Sequence, residues 1–595
     1  MQASTSPASR ATGSKTIADL VLRATEQRPD SVALRHKRDG EWVDVSVRQL
    51  GETVQEIGLG LMDLGIEPGD RVAILCNTRP EWTYVDFAIA AVGGVVVPIY
   101  PTNAPEECEW VVGNSEAVAV ICEDAAQAAK IREVRERLPA LRHIVVIDGE
   151  DGDAVTLAAL RERGQAGDPA ALRARAEAVT PEDPFTFIYT SGTTGPPKGC
   201  VLTHGNYRSV VDMCLSLDVL MGEETVYLFL PLAHAFALLI QLISVDVGST
   251  IAYWSGDPQK IVPELSETRP TYFPSVPRIF EKIYTLVTSN AEDPAQLAAA
   301  VALGRKVRDL EVAGEPIPEE LKAPFAEAEE KLFSNVRAVF GGQMRQAVTG
   351  AAPIAKDILE FFWACGVPVL EGYGMTETAT VATYSTIEEH KFGTVGRPLP
   401  GVEVKIADDG EVLIKGANIF AGYYRNDDAS FGTIVDGWLH TGDLGSVDDE
   451  GYLSITGRKK DIIITAGGKN LTPANLENDL KQTRWVSQAV MHGDRRPFPV
   501  MLITLDEEEI VPWADAQGLP TSIEQLAREP KVLALIQAEL DKANERYAQV
   551  EQVKKFFILE HDLSQATGEL TPTLKVKRNI VNEKYAGRFD ELYSG

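Results

Sequence analysis

Long apolar runs are what this 595-residue chain lacks most plainly. The longest, Ala235–Ile243 (AFALLIQLI), is interrupted by Gln241 and closes near Asp246. It is too short to cross a bilayer and reads as a buried helix. The amino terminus (MQASTSPASRATGSK) has no apolar h-region, so no signal peptide is expected. Cysteine is scarce. Cys76, Cys108, Cys122, Cys200, Cys214 and Cys365 form no C-x-x-C pair, which argues against a disulfide framework and gives no zinc-ligand spacing. Positive charge is short as well: 57 Lys and Arg stand against 87 Asp and Glu, for a net charge of −30. Such a field opposes non-specific nucleic-acid binding and supplies no polybasic membrane anchor. The expectation is an acidic cytoplasmic protein without a transmembrane segment; transient contact with a membrane surface and the oligomeric state stay open.

The length exceeds what one hydrophobic core usually spans, so at least two domains are expected. Residues 1–15 are polar and read as disordered. Apolar residues at Val47, Leu50, Val54, Ile57, Leu61 and Leu64 recur by threes and fours, one face of a helix. Short buried strands at Arg71–Cys76, Val95–Ile99, Ala117–Cys122 and His143–Ile147 alternate with helical stretches, the pattern of a layered α/β fold with mostly parallel strands. Residues 292–334, rich in Ala, Glu and Lys, read as a helical insertion, a solvated appendage. Beyond Gly393 short strands separated by turns predict a small β subdomain. The fold class is therefore α/β, with a large domain over 16–457 and a smaller α+β domain over 458–595.

One loop organises the chain: Thr190-Ser191-Gly192-Thr193-Thr194-Gly195-Pro196-Pro197-Lys198-Gly199, after the apolar strand Phe185–Tyr189. Glycines allow close backbone approach, free N–H groups and hydroxyls donate hydrogen bonds, and Lys198 brings a mobile positive charge. The loop suits phosphates. It is neither G-x-x-x-x-G-K-[ST] nor G-x-G-x-x-G. Its ordered sequence resembles the phosphate-binding signature of the adenylate-forming (AMP-binding) superfamily, which includes acyl-CoA synthetases, peptide-synthetase adenylation domains and luciferases.

Four further stretches follow in that superfamily's order. Glu371-Gly372-Tyr373-Gly374-Met375-Thr376-Glu377-Thr378 leaves a buried strand, where open α/β sheets bind ligands. There Tyr373 offers a flat face for adenine, Thr376 a hydroxyl for phosphate and Glu377 a carboxylate for Mg²⁺, with Thr190 a second candidate for the metal. Gly437–Asp443 places Asp443 in a turn just past a strand, able to accept hydrogen bonds from both ribose hydroxyls. Gly457-Arg458-Lys459-Lys460-Asp461 and Leu570–Arg578 complete the set. The resemblance implies that Arg458 contacts ribose, that Lys460 is a hinge, and that Lys575 is the catalytic lysine of a mobile C-terminal domain, with Lys577 as its rival. It also puts Gly350 among the nucleotide-binding positions and His234, beside the apolar helix, at the meeting point of carboxylate and pantetheine. Cys200 has no local His–acid partnership and reads as a small buried hydrophobe.

Leu574 before Lys575, and a longer turn at Gly467–Asn470, look like the long-chain fatty acyl-CoA synthetases, including those of actinobacteria. The resemblance thus implies a ligase that uses ATP, Mg²⁺ and coenzyme A to activate a fatty acid through an acyl-adenylate. A fatty acyl-AMP ligase serving a carrier protein, and a non-catalytic nucleotide- or acyl-binding protein, are the alternatives.

Overall fold

The computed structural model describes residues 11–190, 196–289, 293–571 and 575–594. Ser46 starts the predicted first long helix, Val47–Asp63: its hydroxyl accepts from the Gln49 N–H while the Gln49 side chain accepts from the Ser46 N–H. Arg71–Leu75, Val95–Ile99, Ala119–Cys122 and His143–Val146 are parallel neighbours in an eight-stranded sheet among the described residues. Pro184–Thr190 joins them in parallel, then reverses into Lys198–Thr203 as a hairpin, with Thr190 opposite Lys198. Lys198 is thus a strand residue at the base of the loop.

A nine-stranded sheet contains the parallel neighbours Tyr272–Ser275, Gln346–Thr349 and Val369–Tyr373. The apolar run forms the helix Ala235–Val247, nearly all of it buried and closed by Gly248 at φ +82°. Asp246 on this helix is fully buried, paired with Arg208, and accepts from the Thr12 N–H at 3.0 Å. Thr12 and Ser14 are buried with it. The expectation of disorder over residues 1–15 is therefore corrected for 11–15, whose polar side chains cap a buried charge that composition could not reveal.

The insertion is helical, through Pro294–Ala313, Glu319–Ala328 and Ser334–Val339. Val307, Phe333 and Val336 are buried, and the latter two join an aromatic core with Phe273, Phe280, Phe340 and Phe362. It is built into the domain rather than appended to it. The small β subdomain holds Glu403–Ile406, Glu411–Lys415, Ile434–Val435, Trp438–Val447 and Leu453–Arg458, all antiparallel. After a single turn at Lys459–Asp461, the C-terminal segment packs three strands, Val486–His492, Val500–Leu505 and Lys555–Ile558, against helices around a core of its own.

Candidate active site

Three chain segments converge on the base of the glycine-rich loop. Ser191, Gly192, Thr193, Thr194 and Gly195 lie outside the described residues. At the loop's edges, the Thr190 hydroxyl lies 3.9 Å from the Cys200 sulfur, and the Trp110 indole N–H donates to the Pro197 carbonyl at 2.8 Å. The Lys198 ammonium stands 4.8 Å from the centre of the Tyr423 ring, and the Tyr423 hydroxyl donates to Glu377 Oε1 at 2.7 Å. A cation over a ring is worth about 1 kcal/mol.

Glu377 is buried at 6% exposure. Its turn, Thr376–Thr378, follows a strand that already includes Glu371, Gly372 and Tyr373. Gly374 is obligatory there: a Cβ would lie 2.2 Å from the Thr380 carbonyl oxygen. Ala379 and Thr380 leave the turn at φ +46° and +99°, a strained exit for side-chain-bearing residues. Gly350 ends the neighbouring strand, where a Cβ would approach the Gly372 carbonyl to 3.0 Å. Backbone from two neighbouring strands thereby meets closely.

Asp443 lies within the strand Trp438–Val447, opposite Arg458 on Leu453–Arg458, and not in a turn past a strand as expected. The long antiparallel ladder carries the chain through the glycine that reads as a turn. The Tyr373 hydroxyl donates to Asp443 Oδ2 at 2.7 Å and the Arg458 Nε to Oδ1 at 2.8 Å. Each oxygen keeps lone pairs for ribose hydroxyls. Burial and the adjacent Asp443 both raise the Tyr373 phenol, which stays a donor.

Lys575 comes from the C-terminal segment. Its N–H donates to the Thr571 hydroxyl at 3.0 Å, and the Thr571 N–H donates back to its carbonyl at 2.8 Å. The side chain is exposed to solvent, within electrostatic reach of Arg458, Asp443 and Glu377. Burial lowers its ammonium below the ordinary lysine range and Arg458 lowers it further, while Asp443 and Glu377 raise it. His234 caps the buried helix, its Nδ1 accepting from the Phe236 N–H at 3.3 Å. Burial, and then Lys575, pull it down to about 4, so it is neutral at ordinary pH. Thr376 opens the turn that carries Glu377. Lys577 instead precedes the helix Arg578–Lys584, whose Arg578 forms an ion pair with Glu477 inside the C-terminal segment. Lys460 is exposed on its short helical turn, beside Lys459, which pairs with Asp409 and Glu411. Cys200 is fully buried, and burial plus Glu377 push its thiol well up, as suits an inert side chain.

Tyr423 and Trp110 escaped sequence reasoning. A tyrosine in Gly422-Tyr423-Tyr424 gives no signal of its own, because Glu377 and Lys198, the charges it touches, lie 46 and more residues away. Among the described residues no cluster of three or more His, Cys, Asp or Glu is spaced for a metal. One buried carboxylate and one hydroxyl fit Mg²⁺ held mostly by substrate phosphates and water, the usual mode for that ion.

The base of the glycine-rich loop, the Glu377 turn and the Asp443–Arg458 ladder, with Lys575 brought near them from a second domain, define a two-domain α/β protein. The chain belongs to the AMP-binding enzyme family: that family's model matches residues 21–424, and the AMP-binding enzyme C-terminal domain matches 460–595. It is 40% identical over 584 residues to the long-chain-fatty-acid–CoA ligase FadD15 of Mycobacterium tuberculosis, covering 97% of both chains. It is 32% identical over 620 residues to the peroxisomal long chain acyl-CoA synthetase 7 of Arabidopsis thaliana, covering 97% of this chain and 86% of that one. Among solved structures it resembles the adenylation domain of a Mycobacterium chelonae carboxylate reductase (TM-score 0.78, 20% identity, 98% of this chain and 92% of that one). A Mycobacterium tuberculosis fatty acyl CoA synthetase also aligns, with TM-score 0.63, 23% identity, and 96% and 99% covered. At these identities the structural likeness concerns the fold.

Proposed function

We propose that this protein is a long-chain fatty acid–CoA ligase, which converts fatty acid, ATP and CoA into acyl-CoA, AMP and pyrophosphate. The observation that carries the reading is the placement of Lys575 within electrostatic reach of Glu377, Asp443 and His234, which belong to the other domain. In the first step a fatty carboxylate attacks the α-phosphorus of ATP, forming the acyl–phosphate bond and breaking the bond to pyrophosphate. An anion attacks a polyanion, so positioning and charge neutralisation are what the site must supply. Lys198 and Lys575 bring positive charge to the phosphates, and Asp443, braced by Tyr373 and Arg458, accepts from the ribose. Glu377, with Thr190 beside it, would hold Mg²⁺; the ion supplies further neutralisation of phosphate charge. His234, neutral and fixed as a helix cap, orients the carboxylate rather than acting as a base.

In the second step the domain over 458–595 turns about Lys460 against the domain over 16–457 and withdraws Lys575. The CoA thiolate attacks the acyl carbonyl, and AMP leaves. No helix among the described residues is long and apolar enough to cross a membrane. Six free, buried cysteines support a reducing, cytoplasmic setting. Pyrophosphate release across carboxylates of increasing length, with and without CoA, tests the reading. Release that rises with chain length, and AMP release that requires CoA, is expected. Carboxylate-independent release, or AMP release indifferent to CoA, would refute it.

A further inference from the structure

Residues 418–424 stitch the two halves of the site together. Asn418 Nδ2 donates to the Val381 carbonyl at 3.1 Å, and the Phe420 N–H to the Glu377 carbonyl at 3.0 Å. The Ala421 and Tyr424 N–H groups donate to Val201 and Gly199 on the lysine-bearing strand. Tyr423 sits in the middle of this stitch, opposite Cys200, with its own N–H bonded to the Ser430 hydroxyl and its ring packed edge-on against Phe420. From there the ring carries the Lys198 ammonium on its face and the Glu377 carboxylate at its hydroxyl edge.

We infer that Tyr423 is a positioning residue that keeps Lys198 and Glu377 apart and oriented before the nucleotide arrives. The inference rests on the adenylating role proposed above. Opposite charges facing one cleft tend to collapse into a direct pair, which would cancel the cation meant for phosphate and occupy the carboxylate meant for metal. A neutral ring prevents this without spending either charge: the face attracts the ammonium weakly, and the hydroxyl occupies Oε1. The orientation so fixed is what would present the carboxylate to a metal–phosphate group. A residue that orients a metal ligand through a hydrogen bond typically changes metal affinity ten- to a hundredfold when it is lost.

The test uses the full chain as wild type, Tyr423→Phe and Tyr423→Leu, with ATP binding measured calorimetrically in EDTA and in a Mg²⁺ titration. Thioester formation from supplied acyl-adenylate is followed alongside. Tyr423→Phe, which keeps the ring, is expected to weaken the Mg²⁺-dependent part of ATP binding about tenfold while leaving binding in EDTA unchanged. Tyr423→Leu is expected to weaken binding in EDTA as well, because Lys198 then pairs with Glu377. Thioester formation should stay near wild type in both. A Mg²⁺ dependence of Tyr423→Phe equal to wild type overturns the inference, as does an equal loss in thioester formation. If Tyr423→Leu does not fold, the nearly isosteric Phe variant decides. Wild-type protein that makes no acyl-adenylate defeats the proposed function itself, an outcome separate from any difference between variants.

Discussion

Burial and Arg458 hold the Lys575 ammonium below its ordinary value, with Asp443 and Glu377 pulling against them. A triphosphate entering the cleft adds negative charge and favours the protonated form, so the lysine gains most when the first step needs it. Lys575→Ala is expected to slow acyl-adenylate formation by two to three orders of magnitude, about what one lost electrostatic donor costs. Thioester formation from supplied acyl-adenylate should persist. Single-turnover rates of each half-reaction check this, with Lys577→Ala as control; a larger first-step loss in the control would move the role to Lys577. A second residue-scale outcome concerns pH. His204 is buried, accepts from the Ile17 N–H at 3.1 Å, and is pulled down to about 3 by burial. A histidine depressed in the fold resists protonation there. Its stabilising contribution is complete above pH 6.5 and is lost as pH falls toward about 3, at roughly 1 kcal/mol per unit. Urea midpoints between pH 7 and 5 should fall in wild type and fall less steeply in His204→Asn. Equal slopes would show that other groups set the acid limit.

At the scale of elements, the joint after Leu453–Arg458 is the informative one. The strand is pinned to its neighbour by Asp443 and Arg458, and Lys459 is held by Asp409 and Glu411, both in the large domain. Lys460 is exposed in the turn, before the chain enters the Ile463–Ile464 strand of the C-terminal segment. Backbone torsion there is what a rotating domain must change. Proline fixes φ near −65° and removes the N–H, so Lys460→Pro should keep adenylation within a few fold and lose most CoA-dependent turnover. A variant with an unchanged melting profile and wild-type thioester formation would remove Lys460 from the hinge.

The whole molecule holds its two domains together partly by charge. Arg278 and Lys282, one turn apart on the helix Pro277–Ser289, pair with Asp506 and Glu508 at the start of the C-terminal helix Glu507–Ala516. Asp506 also caps that helix, accepting from the Glu508 N–H at 3.1 Å, a task asparagine can keep. Asp506→Asn should therefore weaken docking without unfolding the helix. The expected result is a several-fold slower adenylation with thioester formation spared, and a weaker salt dependence of the first step than in wild type. If both half-reactions respond to salt as in wild type, the pairs have no part in domain orientation.

Sequence by itself determined the architecture and the family. Hydrophobic periodicity is local, so Val47–Asp63 and the parallel strands were legible. The glycine turn at Gly374 was legible too, because only glycine tolerates a neighbouring carbonyl that close. Tertiary structure decided the rest. A glycine inside Trp438–Val447 looks like a turn until the facing strand is known, and this moved Asp443 from a turn onto a ladder opposite Arg458. Residues 11–15 look disordered until buried Asp246, more than two hundred positions away, supplies an acceptor. Tyr423 acquires its place only when two segments, one about two hundred residues before it and one 46, close on either side of its ring. Side-chain type is written along the chain, whereas burial and pairing depend on contacts between segments far apart in it.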